Sequence, residues 1–476
     1  MRVLSSLFIL ILSSFFSISA QSISSLGTGS IVELECERSS VTNTFVAVSM
    51  ERNKELGIQQ VVIHRSVDYG ATWSFIDSIG PKPSDFTIAD PVIATDSNGF
   101  FYLVLMRVLT IDPYNIHLEF YRSEDDGLTW DLVNRPYDQD LGADYPQIIS
   151  RGDGELYLVY SLYTISTGVF DSTVQFRKST DGGSTWTDPQ VFGSINANGV
   201  ATIGPDLSFG YNGSINVAYG GYNDKVYSLI SEDNGDTWSD ISVSTTIDNT
   251  PNNIVKPVSN KNYENWGIIS HEPHRYLTPI SFHRFKNNQW IESFIDLGAY
   301  GQGFMDDSGI IHVVYNHIDN QEFQIKYVYS IDGGVNFNEA IVLYSSPFQK
   351  GHEGEYQSLL MDDDGTFYLT FCDWADASKA KFLIFNPDVT STENVEVIDF
   401  KIYPNPTADF LNIHLQKDVV VKEMNLLDVD GKVLKTVKVN PAENLYLMDV
   451  TNLSSGNYVI LLKDDNRIFV KLFNKI

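Results

Sequence analysis

The sequence contains few cysteines and few basic residues, and both shortages exclude classes of protein. Of 476 residues only Cys36 and Cys372 are cysteines, which excludes a disulfide-rich scaffold and a multi-cysteine metal site. Whether these two form one disulfide is left open. Lys and Arg number 32 against 61 Asp and Glu, and the excess lies in residues 21–398, which carry a net charge of −30. Nucleic-acid binding is therefore disfavoured, because phosphate is repelled.

Long apolar runs are also missing, apart from one near the N-terminus. Arg2, the apolar residues 7–16 and the small residues before Gln21 predict a signal peptide over residues 1–20. The run is too short to span a membrane, and no other stretch of about 18 apolar residues exists. We therefore expect an exported chain without a transmembrane segment, secreted or held at the cell surface, and acting as a monomer.

A motif Ser-x-Asp-x-Gly-x-x-aromatic recurs at intervals of about 50 residues, which is typical of a repeat fold. Its copies centre on Asp68, Asp125, Asp181, Asp233 and, in a weaker form, Asp332. A worn copy at 287–290 retains only the turn and Trp290. The Asp side chain can accept hydrogen bonds within its own turn, Gly permits a left-handed backbone, and the aromatic ring packs the turn onto the sheet. We predict a structural role for all five Asp residues, since copies spread around a ring cannot form one active site.

The segments between the motifs alternate polar and apolar residues and are divided by turns, which indicates hairpins. Four short strands per repeat of this length predict a blade of a β-propeller. Units that begin near residues 30, 90, 144, 205, 252, 300 and 355 predict seven blades, and six is the alternative because the first and last units are the least regular. The expected organisation is all-β: a propeller over 21–388, a linker over 389–400 and a small Ig-like β-sandwich over 401–476.

The repeated turns resemble the Asp boxes, or BNR repeats, of the sialidase superfamily of β-propellers, over roughly residues 25–388. In such propellers the functional face carries the starts of the innermost strands and the ends of the second strands, and the Asp boxes lie on the opposite face. The resemblance therefore places acidic and aromatic residues at innermost-strand starts, among them Asp90, Asp144, Tyr145 and Asp206. It places the substrate-binding candidates Arg52, Arg107, His271, His274 and Trp374 near second-strand ends, with Tyr145 as a further candidate.

The segment Gly354-Glu355-Tyr356 resembles the strand that carries the sialidase nucleophile. The resemblance implies Tyr356 as nucleophile with help from Glu355, Asp144 as the catalytic Asp, and Arg275 as one arginine that binds a substrate carboxylate. The chain departs from the pattern at residues 30–32, where Ser-Ile-Val replaces Arg-Ile-Pro, and it has no Arg between Arg284 and Arg467.

Three functions stay open. The first is a surface propeller that binds, and in one interpretation cleaves, extracellular glycans. The second is a noncatalytic adhesion propeller, favoured by the missing arginines. The third is a polysaccharide lyase, suggested by the run His271-x-x-His274-Arg275, whose two histidines could alternatively hold a metal. The expected catalytic site contains neither metal nor cofactor, and a structural calcium ion is left open.

Residues 401–476 differ in character from the rest and resemble the type A C-terminal sorting domain of the type IX secretion system. The resemblance lies in Tyr403-Pro404-Asn405-Pro406, Asp430-Gly431, Gly456-Asn457-Tyr458 and the basic end Lys471 to Lys475. It implies a Bacteroidetes-type cell, Sec export, passage through the outer membrane by the type IX machinery, and removal of the domain with attachment to surface lipopolysaccharide.

Overall fold

The structure is a computed structural model that divides into two compact units, Met1–Val389 and Thr390–Ile476. It describes residues 18–26, 31–53, 58–80, 86–109, 112–137, 142–166, 169–195, 202–221, 225–245, 254–271, 278–286, 289–319, 321–348, 357–362, 364–373, 379–387, 400–415, 423–428, 433–438, 445–463 and 468–476. The only helical element in these ranges is the three-residue 3-10 turn Tyr211–Gly213, and none of them holds a helix that could cross a membrane.

In the described part of the first unit, antiparallel pairing forms seven successive four-stranded groups, which we call blades 1 to 7. The first strand, β1 Ile18–Leu26, belongs to blade 7. Blade 1 consists of β2 Ile31–Arg38, β3 Phe45–Asn53, β4 Ile58–Ser66 and β5 Ser74–Ile79. Blade 2 consists of β6 Phe86–Thr95, β7 Phe101–Leu109, β8 Asp112–Ser123 and β9 Asp131–Tyr137. Blade 3 consists of β10 Gly142–Gly152, β11 Glu155–Ser166, β12 Val169–Ser179 and β13 Gln190–Ile195.

The remaining blades repeat this order. Blade 4 consists of β14 Thr202–Phe209, β15 Ile215–Gly221, β16 Lys225–Ser231 and β17 Ser242–Thr245. Blade 5 consists of β18 Ile254–Asn260, β19 Tyr263–His271, β20 Thr278–Lys286 and the first half of β21 Gln289–Met305. Blade 6 consists of the second half of β21, β22 Ile311–Asp319, β23 Glu322–Ser330 and β24 Ile341–Pro347. Blade 7 consists of β25 Ser358–Met361, β26 Phe367–Asp373, β27 Lys379–Pro387 and β1.

The blades close into a ring because β1 pairs antiparallel with β27. The strand β1 begins three residues before Gln21, so the segment that would follow signal cleavage still pairs, from Ser22 opposite Ile384 to Leu26 opposite Ala380. The innermost strands β2, β6, β10, β14, β18, β21 and β25 contact one another in a closed cycle. The prediction of an all-β propeller is therefore confirmed.

Apolar side chains from facing sides of adjacent blades form the cores. Between blades 2 and 3, for example, Tyr102, Phe120 and Leu158 are fully buried in one cluster. The two cysteines lie in the core between blades 7 and 1, where both are buried and neither is part of a disulfide. The open question of a disulfide is thus answered: there is none between Cys36 and Cys372.

Each recurring Asp is hydrogen-bonded inside its own turn. Asp68, for example, accepts bonds from the Ser66 hydroxyl at 2.8 Å, from the Thr72 backbone N–H at 2.9 Å and from the Thr72 hydroxyl at 2.6 Å. The same three kinds of contact surround Asp125, Asp181 and Asp233, and in the turn of Asp332 the side-chain amide of Asn336 donates in place of the threonine hydroxyl. The bonds from Thr237 lower the pKa of Asp233 to about 2. Because the carboxylates accept hydrogen bonds within their own turns, they stabilise the turn, and we call these turns structural clips.

The glycine of each turn packs against the blade that precedes it around the ring, and for blade 1 that blade is blade 7. Gly334 has φ +81°, and a Cβ at this position would lie 2.2 Å from Cε1 of Phe282 in β20. Its neighbour Gly333 has φ +72°, yet a Cβ there would have no neighbour within 4 Å. A side chain at either glycine would strain the backbone, but only a side chain at Gly334 would also clash with the neighbouring blade.

The second unit is a sandwich of two antiparallel sheets. One sheet contains β28 Lys401–Tyr403, β29 Phe410–His414 and β32 Leu445–Asp449. The other contains β30 Glu423–Asp428, β31 Val433–Lys438, β33 Gly456–Lys463 and β34 Ile468–Lys475. Asn405 Oδ1 accepts the backbone N–H of Asn474 at 2.8 Å, and the Thr407 N–H donates to the Asn474 carbonyl at 2.9 Å. The Tyr403–Pro406 motif and the basic end are thus parts of one contact.

We expect Gly334→Ala to destabilise the propeller more than Gly333→Ala. Both changes impose a left-handed backbone on Ala, at a cost of about 1–2 kcal/mol, but only Gly334→Ala also forces a methyl group into Phe282, which adds about 1–3 kcal/mol. Urea unfolding of the two variants measures the difference. Equal midpoints would contradict the packing role of this turn.

Candidate functional site

A bulge recurs where four innermost strands begin. The register shifts between β6 and β7, β10 and β11, β14 and β15, and β21 and β22. In each bulge one residue has a positive φ: Asp90 at 46°, Tyr145 at 50°, Gly204 at 60° and Tyr300 at 53°. A left-handed backbone at a residue with a side chain costs about 1–3 kcal/mol. Bulges of this kind re-aim side chains and are frequent beside functional sites.

Three aspartates at the starts of innermost strands, which the sequence alone does not distinguish, take different positions relative to the left-handed residue of the bulge. Asp90 is itself the left-handed residue, Asp144 immediately precedes the left-handed Tyr145, and Asp206 lies two residues after Gly204. Their side chains therefore reach the centre of the ring at different points. Burial and the charge of Asp90 raise the pKa of Asp144 well above its ordinary value.

Strand β2 contributes three further carboxylates, which alternate with apolar residues and so share one face. Glu33 Oε2 accepts the backbone N–H of Asp90 at 2.6 Å. Glu35 Oε2 accepts the backbone N–H of Ile93 at 3.4 Å. These bonds join the innermost strand of blade 1 to that of blade 2, so the acidic face of β2 is turned toward the bulge of β6.

One cation lies among these carboxylates. Lys256 of β18 forms an ion pair with Asp206 at 2.7 Å, and its side chain is only 14% exposed. Burial works against the charged form of Lys256, but Asp206 and Glu35 outweigh it and hold the pKa of this lysine above its ordinary value. Five successive blades thus contribute one charged cluster, which we call the acidic centre: Glu33, Glu35, Glu37, Asp90, Asp144, Asp206 and Lys256.

Two further members of the acidic centre, Glu35 and Glu37, also have raised pKa values. Burial raises the pKa of Glu35 to about 7, with Lys256 opposing the shift and Asp206 and Asp90 adding to it. Burial and the charge of Glu35 raise the pKa of Glu37 to about 8. A carboxyl group with a pKa near neutrality can hold and release a proton at physiological pH, as a general acid must.

A small cavity opens beside these groups, with a volume of about 20 Å³, room for about one water molecule. Its walls come from the starts of β2, β6 and β10. They comprise Glu33, Leu34, Glu35, Asp90, Pro91, Val92, Tyr145, Pro146 and Gln147. Within the described ranges, no group of three or more His, Cys, Asp and Glu side chains is arranged to hold a metal ion.

The described candidates from the sequence occupy three kinds of position. Asp144 and Tyr145 lie at the acidic centre or its cavity. His271 is buried at the end of β19, edge-on to Tyr300 with ring centroids 5.7 Å apart. Arg107 lies at the end of β7, 3.8 Å from the carboxylate of Glu119.

The other candidates are not brought into the acidic centre. Arg52 is exposed near the end of β3. Tyr356, Glu355, Arg275, His274 and Trp374 lie outside the described residues. Their predicted roles stay predictions.

Sequence reasoning missed Glu33, Glu35, Glu37 and Lys256. The alternation of three glutamates with apolar residues over 33–37 was a visible signal, because one charged face on an innermost strand is unusual in a core element. Lys256 precedes Pro257 as Asp90 and Tyr145 precede prolines, so its position in the repeat was also visible.

Comparison with known proteins identifies one domain and supports the fold. The family model of the secretion system C-terminal sorting domain matches residues 401–475. This confirms the predicted sorting domain and implies export to a cell-surface or extracellular location. A search of curated proteins finds no match.

Solved structures resemble the propeller at low sequence identity. A protein of unknown function from Dyadobacter fermentans matches with a TM-score of 0.50 and 11% identity, over 78% of this chain and 99% of that one. An alpha-L-arabinanase from Penicillium chrysogenum matches with 0.47 and 12%, over 75% and 93%. An intramolecular trans-sialidase from Ruminococcus gnavus matches with 0.40 and 14%, over 76% and 96%. Of these three the first reaches 0.5, and at this identity it supports the fold alone.

We expect Glu37→Gln to change the pH dependence of stability. Between pH 4.5 and about 8 the folded wild type retains a proton that the unfolded chain has lost. Its free energy of unfolding therefore falls with rising pH by up to about 1.4 kcal/mol per pH unit relative to the variant. Urea unfolding at pH 5 and pH 8 measures this difference. A difference between the two proteins that stays constant with pH would contradict the assignment.

Removing the cation should also be costly. In Lys256→Gln the carboxylate of Asp206 loses its partner in a buried setting, and we expect a loss of about 3–5 kcal/mol. The double variant Lys256→Gln with Asp206→Asn removes both charges and should recover most of the loss. If the double variant is no more stable than Lys256→Gln, the ion pair does not organise the acidic centre.

Proposed function

We propose that this chain is a cell-surface propeller that binds neutral glycans at the acidic centre and cleaves a glycosidic bond there with acid catalysis. The observation that carries the proposal is the pair formed by Glu35, whose pKa is raised to about 7, and Asp206, which is held by Lys256. Two neighbouring carboxyl groups in different environments are what glycoside hydrolysis uses, one as proton donor and the other as a charged partner. The sorting domain supports an extracellular substrate.

Charge argues for a neutral substrate. The acidic centre holds six carboxyl groups and one lysine, and residues 21–398 as a whole carry a net charge of −30. Arg107 is already beside Glu119, so its charge is partly neutralised. A carboxylated sugar would therefore meet repulsion, whereas a neutral sugar can donate hydrogen bonds from its hydroxyl groups to carboxylates and stack its ring beside Tyr145.

In this proposal Glu35 donates a proton to the leaving oxygen of the glycosidic bond, and the carboxylate of Asp206 stabilises the positive charge that develops on the sugar. The proton returns to Glu35 from the water that completes hydrolysis. Tyr356 keeps the role that the resemblance implies, as a candidate nucleophile, and the experiment treats it separately.

A noncatalytic propeller is the second candidate. The cavity beside Glu35 has a volume of about 20 Å³, which admits a water molecule and not a sugar ring. A protein that holds glycans on its rim without turnover would be compatible with this small space.

The test is incubation of the full chain with neutral polysaccharides, sialosides and uronate-containing polysaccharides, with reducing ends and unsaturated products measured separately. We expect reducing ends from a neutral glycan, and a loss of about 100-fold or more in kcat for Glu35→Gln. Tyr356→Phe tests the nucleophile, and Glu339→Gln, which changes an exposed carboxylate outside both the acidic centre and its cavity, is the matched control.

The outcomes separate the alternatives. Unsaturated products would indicate a lyase, and release of sialic acid would contradict the argument from charge. Binding without any product would favour the noncatalytic propeller. Turnover that survives Glu35→Gln would remove the proposed acid.

A further inference from the structure

The Asp-box turns of blades 3 and 4 are each seated on the preceding blade by two residues of that blade's third strand. In blade 2, Phe120 lies under Gly183, whose Cβ would be 2.1 Å from the ring, and Arg122 donates to the Gly182 carbonyl at 3.1 Å. In blade 3, Phe176 lies under Gly235 at 2.5 Å, and Lys178 forms an ion pair with Asp236. The ring and the base stand three residues and one residue before the motif serine in both strands.

Blade 4 has neither of these residues. Ser228 and Ile230 stand three residues and one residue before its motif serine, Ser231. The next blade correspondingly lacks the Ser-x-Asp-x-Gly motif: β20 ends at Lys286 and β21 begins at Gln289. The sequence motif that forms the turn between blades 2 and 3 and between blades 3 and 4 therefore has no counterpart between blades 4 and 5.

The aromatic residue of the worn copy is still held in place. Trp290 donates its indole N–H to Ser242 Oγ at 2.6 Å and packs edge-on against Trp266, with ring centroids 5.2 Å apart. The two blades are thus joined at this point, although the clip between them is missing. What remains beside it is a groove.

The groove has a volume of about 410 Å³, within the range of about 300–1,000 Å³ that ligand pockets occupy. Three aromatic rings and two carboxylates contribute to its wall: Tyr211, Tyr263, Trp266, Glu232 and Glu264. The ring of Tyr211 is 38% exposed, and no lysine or arginine belongs to the described lining. Asn216 adds an amide group to the wall.

This chemistry fits an uncharged molecule rich in hydroxyl groups. Aromatic rings offer flat apolar surfaces for stacking, and carboxylates and amides accept hydrogen bonds from hydroxyl groups. An anionic ligand would be repelled by Glu232 and Glu264. The groove also lies away from the acidic centre: Lys256 is near the start of β18, whereas Tyr263 follows the end of that strand.

We propose that the groove between blades 4 and 5 is a second binding site, which takes a neutral oligosaccharide. The acidic centre and the groove lie at opposite ends of the same strand, so a long polysaccharide held in the groove leaves the centre accessible. The inference shares its ligand class with the proposed function but does not depend on catalysis.

The experiment measures binding by calorimetry with the full chain carrying Glu35→Gln, which prevents turnover by the proposed acid. The probes are xylohexaose, cellohexaose, mannohexaose and arabinohexaose, with an oligogalacturonate of equal length as the anionic probe and hexalysine as the cationic one. We expect at least one neutral hexasaccharide to bind, and the additional change Tyr211→Ala to weaken its binding about tenfold, which is about 1.4 kcal/mol.

Two controls keep the test decisive. Phe294→Ala removes another exposed aromatic ring, on the outer part of blade 5, and should leave the affinity unchanged. Ile230→Arg places a bulky cation in the groove and should weaken binding as Tyr211→Ala does. The urea midpoints of all variants establish that each is folded.

The proposal is overturned if none of the neutral hexasaccharides binds at millimolar concentration, or if Tyr211→Ala binds as tightly as its parent. A preference for oligogalacturonate or for hexalysine would also overturn it. Failure of the proposed function is distinguishable, because it would leave wild-type turnover insensitive to Glu35 and would not alter the effect of Tyr211→Ala on binding.

Discussion

The pairing of β1 with β27 is the interaction on which the rest of the structure depends. It supplies the fourth strand of blade 7 from the N-terminal end of the chain and so covers an edge that would otherwise present unpaired backbone groups. Because the ring is closed, each innermost strand has a neighbour on both sides. The strand starts of blades 1 to 5 then converge, and this convergence creates the acidic centre.

The acidic centre destabilises the folded protein. Carboxyl groups that are removed from water and placed near one another resist ionisation, and Lys256 compensates only part of this burden. The bulges at Asp90 and Tyr145 add strained backbone at the same place. Raised carboxyl pKa values and left-handed backbone residues thus occur together at these strand starts, and perturbed pKa values are frequent at functional sites.

The repeat explains both the regular and the irregular parts of the ring. Where the Asp-box turn is present, its aspartate is saturated by hydrogen bonds and its glycine is packed on the neighbouring blade, so it closes the space between blades. Where the turn is lost, after blade 4, the seating residues are lost as well, and a groove with aromatic walls takes their place. The candidate binding groove therefore lies where the Asp-box motif is missing, and not at the repeated turns.

The propeller and the sorting domain could be predicted from the sequence, because both rest on local chemistry. Asp, Gly and an aromatic residue make the same turn wherever they recur, and an ordered set of terminal motifs makes one contact around Asn405 and Asn474. It did not separate Asp90, Asp144 and Asp206, because a bulge shifts the register without changing the spacing of residues. Only the tertiary structure decided that Glu35 and Lys256 act on each other, since they are distant along the chain and meet through ring closure. The pKa of Glu35, about 7, likewise results from burial, and the burial of a side chain cannot be read from the residue type.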